Sequence, residues 1–113
     1  MSEFTFLFRG RHRFESPEQG QKHIQAWLAW FNQLKAQGHL KDQGHPLELI
    51  GKVVRGSQRA VTDGPYAESK DIVGGYIVVE ASDLGHAVDL SKDCPILAVE
   101  GSVEIRPNQP MSG

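Results

Sequence analysis

The period of the apolar residues changes once within the first 34 positions, and that change limits the folds open to the chain. Phe4, Phe6 and Phe8 alternate with Thr5, Leu7 and Arg9, the period-2 pattern of a strand with one buried face. Further on, Ile24, Trp27, Leu28, Phe31 and Leu34 recur at spacings of three and four, which gives a helix one apolar stripe. The start of that helix is written in Ser16, Pro17 and Gln19: a capping side chain, a proline at the first helical position and a capping-box partner. Gly38 is placed to end it. A one-sided strand followed by a one-sided helix buries both apolar faces only if the helix lies on a sheet.

The remaining elements extend this plan. Leu47 to Arg55 is rich in aliphatic and β-branched residues, Gly56-Ser57 suits a hairpin turn, and Gln58 to Thr62 reads as the returning strand. Thr62-Asp63-Gly64-Pro65-Tyr66 carries dense turn chemistry and predicts a sharp loop. Ile72 to Glu80 is apolar on both faces, as in a central strand, and Gly74-Gly75 within it predicts a bulge or a close backbone approach. Ser82 is a cap for a second helix with Leu84, Ala87, Val88 and Ser91 inward, closed by Cys94-Pro95. Gly101 to Arg106 alternates again and forms a last strand. The order is βα, ββ with an extra hairpin strand, then αβ. It predicts one α+β domain of the ferredoxin-like βαββαβ class over residues 1–107, with a flexible tail over 108–113. Two helices on one side leave the other sheet face open. Thr5, Leu7, Ile50, Val54, Val73, Gly75 and Ile77, or the opposite set, would form that face, and covering it predicts a two-fold homodimer with facing sheets.

Composition narrows the function classes. In 113 residues with a formal net charge of -2, no basic footprint for nucleic acid is present. No apolar run approaches the roughly 20 residues needed to cross a bilayer. The N-terminus lacks the ordered regions of a signal peptide, so a cytoplasmic protein without a membrane partner is expected. The lone cysteine, Cys94, has no partner for a disulfide or a redox motif and reads as a small buried apolar residue.

Five residues are candidates for chemistry or binding. Asp63, in a tight turn, can be poised for acid/base work, against the plainer role of an Asx-type turn residue. His23, on the flank of the helical stripe near Trp27 and Trp30, is the first choice of proton-transfer partner because histidine exchanges protons near neutrality. His39 and His45, flanking Gly44, and His12 and His86 read as solvated. Arg9, with Arg11 and Arg13, is a candidate anion clamp. Lys70 is a second cation for a ligand or an ion-pair partner, and Tyr66 offers a ring and a hydroxyl to a ligand or to the core. The histidines lack zinc spacing, the glycines lack a nucleotide-binding fingerprint, and the serines lack a nucleophile elbow. No metal and no cofactor is expected.

Thr62-Asp63-Gly64-Pro65-Tyr66-Ala67-Glu68-Ser69-Lys70, followed by Gly74-Gly75-Tyr76, resembles the TDGPFAE-x-K…GGY signature of the DGPF branch of the YCII-related family. Cys94-Pro95 and Gly101-Ser102-Val103-Glu104-Ile105-Arg106-Pro107 resemble its CP…GSVEVRP close. One departure is Tyr66, where the family name carries phenylalanine. The resemblance spans nearly the whole chain. It implies a ferredoxin-like fold dimerised into an α/β barrel, a cleft near the DGPF-like loop and an Asp–His pair, of which only Asp63 is marked by the motif. For some relatives it also implies an association with extracytoplasmic-function sigma factors. Two readings of function follow: a small cofactor-independent enzyme using Asp63 with a histidine on a small polar molecule, or a non-catalytic ligand-sensing or regulatory interaction module.

Overall fold

A computed structural model describes residues 1–10, 14–65 and 71–111. Strand β1 (Ser2–Arg9) leads into helix α1 (Pro17–Ala36), then a short strand β2 (Leu40–Asp42) and a hairpin of β3 (Gly51–Arg55) and β4 (Ala60–Gly64). Strand β5 (Val73–Ala81), helix α2 (Leu84–Ser91), a 3-10 turn (Pro95–Val99) and strand β6 (Ser102–Pro107) complete the chain. Four strands form one antiparallel sheet in the order β2-β5-β1-β6. With the hairpin set aside, that is the ferredoxin-like βαββαβ arrangement, an α+β fold.

The core follows from the phenylalanine alternation. Phe4, Phe6 and Phe8 lie opposite Val79, Ile77 and Gly75 on β5, and opposite Pro107, Ile105 and Val103 on β6. All three rings are buried beneath Trp30 and Leu34 of α1 and Ala87 of α2. Phe6 is fully enclosed; truncating such a ring typically costs about 3–5 kcal/mol. Ser16 caps α1 by accepting from the Gln19 amide, while the Gln19 side chain accepts from the amide of Glu15 at 3.1 Å, one residue earlier than a capping box prescribes. Gly38, at φ +77°, terminates the helix. The cap of α2 is Asp83, which accepts from the His86 amide at 2.8 Å, and not the predicted Ser82, whose hydroxyl and amide turn instead to the His86 ring.

Four other expectations are corrected. The edge strand beside β5 is Leu40–Asp42, continued by a bridge from Pro46 to Gly75, and not Leu47–Arg55. The valines of the predicted second strand belong to the separate β3–β4 hairpin, whose loop runs over the four residues 56–59, with Gly56 and Arg59 at positive φ. The Asp63-Gly64 part of the expected loop lies within β4. The open sheet face is also assigned differently. Gly75 and Ile77 point to the helices opposite Phe8 and Phe6, so the face without a helix carries Thr5, Leu7, Tyr76 and Val78.

Gly74 does sit at a bulge: Phe8 pairs with Gly75 and Arg9 with Val73, leaving Gly74 between them. Both alternatives predicted for this glycine pair occur, because the 43–46 segment also closes on it. A Cβ on Gly75 would stand 3.1 Å from the His45 carbonyl oxygen, and one on Gly44 would stand 1.9 Å from that of Tyr76.

Cys94 is buried, as its isolation in the sequence suggests. Burial pushes its thiol up from 9.0 to about 12, against a smaller lowering by a backbone hydrogen bond at Ile96. Because the folded value lies above the unfolded one, this group leaves stability untouched below pH 9.0 and subtracts from it as pH rises towards about 12, where only the unfolded chain ionises. Urea denaturation at pH 8 and pH 10.5 checks this: wild type is expected to lose more stability over that interval than Cys94→Ala, and parallel losses would refute it.

Candidate functional site

The switch from sheet to helix leaves a cavity of about 440 Å³ at one end of the sandwich. Its wall on the helix side is His23 together with Ile24, Trp27, Leu28 and Phe31, four of the five residues of the predicted stripe. The predicted stripe is in fact divided. Trp30 and Leu34 enter the core, Trp27 and Phe31 are half-buried against it, and Ile24 and Leu28 stay largely exposed at the cavity. Trp30 was outside the predicted stripe but lies about 40° beyond Leu34 in helical angle, so the apolar band is broader than five positions indicate.

The sheet side supplies Phe8, Gly10, Gly74, Gly75 and Ile77, and the far rim supplies Ile96, Val99 and Gly101. Residues 43–46 close the remaining side, and Phe14 stands at the entrance to α1. Glycines at 74 and 75 keep the strand side low, and aromatic rings dominate the rest. Phe8 meets Trp27 edge-on at 4.7 Å between centroids, and Trp27 meets Phe31 at 5.6 Å.

His23 is the principal polar group of the helix wall. The Trp27 indole N–H donates to its Nε2 at 2.8 Å, one helical turn away. A nitrogen that accepts carries no proton, so the neutral ring holds its proton on Nδ1. Phe14 lies beside the imidazole at 5.0 Å between centroids. The arrangement fixes both the orientation and the tautomer of a histidine at the wall of an apolar cavity, which is the condition for a defined proton donor.

The other predicted residues are placed elsewhere. Asp63 stands in β4, with its side chain 87% exposed and paired with Lys52, beside an open recess lined by Leu49, Ile50 and Gly51. It does not line the cavity that holds His23, and the two are not brought together within one chain. Arg9 is held by Glu104, at 2.8 Å, and donates to the Asp71 carbonyl at 2.6 Å, so it ties the end of β1 to β6 and to the start of β5. Tyr66 and Lys70 lie outside the described residues, as do Arg11, His12 and Arg13.

Sequence reasoning passed over His45 as a solvated loop residue. It remains exposed, yet it borders the cavity because Pro46 turns the chain back onto Gly75. The signal was the adjacent Gly44, whose φ of +57° and contact with Tyr76 admit no side chain. Among the described residues, no cluster of three or more histidine, cysteine or acidic side chains is arranged to hold a metal ion, and no helix is long and apolar enough to cross a membrane.

The sequence profile of the YCII-related domain family matches residues 4–112. Among solved structures, the chain is similar to 5-chloro-2-hydroxyhydroquinone dehydrochlorinase (TftG) from Burkholderia phenoliruptrix in complex with 2,5-dihydroxybenzoquinone. The two share 16% sequence identity over 95% of this chain and 93% of that one, with a TM-score of 0.49. No curated protein sequence matches.

The backbone contact beneath the cavity is open to test. Gly75→Ala forces a methyl group against His45 and Pro46, and is expected to cost about 1–2 kcal/mol. That corresponds to a fall in Tm of roughly 4–8 °C. An unchanged melting curve would show that the 43–46 segment does not close on β5.

Proposed function

We propose, for a chain that belongs to the YCII-related family, that the aromatic cavity binds a compact planar molecule with an apolar ring and a polar edge, and that His23 donates its Nδ1 proton to that edge as a general acid, without a cofactor. The observation that carries this reading is the imidazole at the cavity wall, with its tautomer set by the Trp27 indole. Flat rings stack or meet edge-on with Phe8, Trp27 and Phe31, and the side chain-free floor at Gly74-Gly75 leaves room for the ligand to lie against the strand. A polar edge directed at His23 then meets a ring whose two nitrogens have distinct roles. In this reading the acid/base group of a single chain is His23, while Asp63, expected as its partner, belongs to the hairpin. The DGPY segment and the GSVEIRP close support placement in the DGPF branch. The open face carrying Leu7, Tyr76 and Val78 supports a homodimer with facing sheets.

The test is binding followed by turnover. Hydroxylated monocyclic aromatics, screened at millimolar concentration beside their saturated ring analogues, are expected to raise Tm and quench tryptophan emission, the aromatic set more strongly. For compounds that bind, NMR in D₂O reads exchange of their acidic C–H positions. His23→Gln is expected to slow that exchange by about 100-fold or more, with binding retained. Equal exchange in wild type and variant would overturn the catalytic part. Binding with no exchange in either would favour a ligand-sensing module.

A further inference from the structure

An acid alone completes no proton transfer on a bound molecule. His23 can only donate, because the Trp27 indole occupies the lone pair of its Nε2. A second group must accept, and the lining of the cavity shows which. Tyr76 borders the cavity from β5, but strand alternation puts its side chain on the open sheet face, opposite to Gly75 and Ile77. Among the described lining residues, Gln43 and His45 are then the polar side chains besides His23 and the committed indole. An amide takes up no proton near neutrality, whereas an imidazole does. The backbone beneath His45 is firmly seated: Pro46 bridges to Gly75, the Leu47 amide donates to the Gly74 carbonyl at 2.8 Å, and the Gly44 amide donates to Asp42 at 2.8 Å. His45 therefore holds a defined place at the rim, beside the Gly74-Gly75 floor. No described residue engages its ring, and the residue is exposed, so its nitrogens are open both to a ligand and to water.

We infer that His45 is the general base of the cavity, and that its substrate is a flat ring bearing a carbonyl beside an acidic C–H. The inference rests on the role of His23 as the acid and adds the partner group and the reaction class, which is keto–enol isomerisation. With the ring lying on the glycine floor, its carbonyl faces the helix wall and the neighbouring C–H faces the 43–46 segment. A nitrogen of His45 takes the proton from carbon. The electron pair of that C–H bond becomes the C=C bond, the carbonyl π pair moves onto oxygen, and the oxygen takes the Nδ1 proton of His23. No electron enters or leaves, and no co-reactant is consumed. A neutral imidazole is suited to polarising a carbonyl in this way. His45 passes its proton to water at the rim, and His23 regains one from water through the same opening. The two histidines thus have opposite tasks because of what surrounds them: one has its lone pair filled by an indole, and the other has its ring unengaged.

Indanone, a flat bicyclic ketone with a CH₂ beside its carbonyl, is the probe. Incorporation of deuterium at that CH₂, followed by NMR in D₂O, reads the step, because His45 exchanges the proton it has taken for a deuteron before the reaction reverses. Wild type is expected to speed the incorporation over buffer. His45→Gln is expected to slow the catalysed rate by about 100-fold, with quenching of tryptophan emission by indanone half-saturating at the wild-type concentration. His45→Ala, equally slow, is expected to regain about tenfold or more when free imidazole is added, since a small base can enter the space left at an exposed rim. A His45→Gln rate equal to wild type, with His23→Gln slow, overturns the base and leaves the acid standing. A slow His45→Ala that imidazole does not restore also overturns the base, because the loss is then one of structure. Wild type that leaves incorporation at the buffer rate removes both roles together.

Discussion

Strand β1 is the element on which everything else leans. It pairs with β5 on one side and β6 on the other, and its three phenylalanines fill the space between the sheet and both helices. The alternation that buries Phe4, Phe6 and Phe8 also decides which residues of the neighbouring strands face the helices, since a paired strand has no freedom to choose its face once the register is set. Val79, Ile77 and Gly75 face the helices because they lie opposite the phenylalanines. The open face is what remains.

The same strand sets up the cavity. Phe8 is the last of the three rings, and beyond it the ladder slips by one residue at Gly74. A bulge bends and twists the strand that carries it, and this one falls where the buried rings end. Ile24 and Leu28 in the first half of α1 stay largely exposed and border the cavity. Gly44 and Gly75 let the 43–46 segment close that space from the side by bringing backbone against backbone. The cavity is a consequence of where the core ends, and His23 enters it because helical spacing puts position 23 one turn below Trp27.

Much of this was legible in the sequence. The strand alternation, the Ser16-Pro17 helix start, the Gly38 stop and the central position of β5 are local signals, and each was read correctly to within a residue or two. The ferredoxin-like class followed from their order. The hairpin misled because Val53, Val54 and Val61 among lysine and arginine carry the same alternation as a strand packed on a core. Sequence periodicity reports an amphipathic strand, not the identity of what covers it. Leu40–Asp42 escaped notice for the opposite reason: three residues, two of them charged, are too few to show a period, and their strand character comes from pairing with β5.

The candidate site divides along the same line. Residue types and helical spacing singled out His23 near the tryptophans, because those are facts of the chain itself. Asp63 stood out by its turn chemistry, yet whether an aspartate meets a histidine depends on how two distant segments are folded, and in this chain they border different hollows. The sequence by itself determined the two helices, the long strands, their order and the buried face of the first strand, because these arise from neighbours a few residues apart. Only the tertiary structure decided that His45 borders the cavity, that Arg9 is engaged by Glu104, and that the valine hairpin stands clear of the body. Those depend on pairing between residues tens of positions apart, which no local pattern encodes.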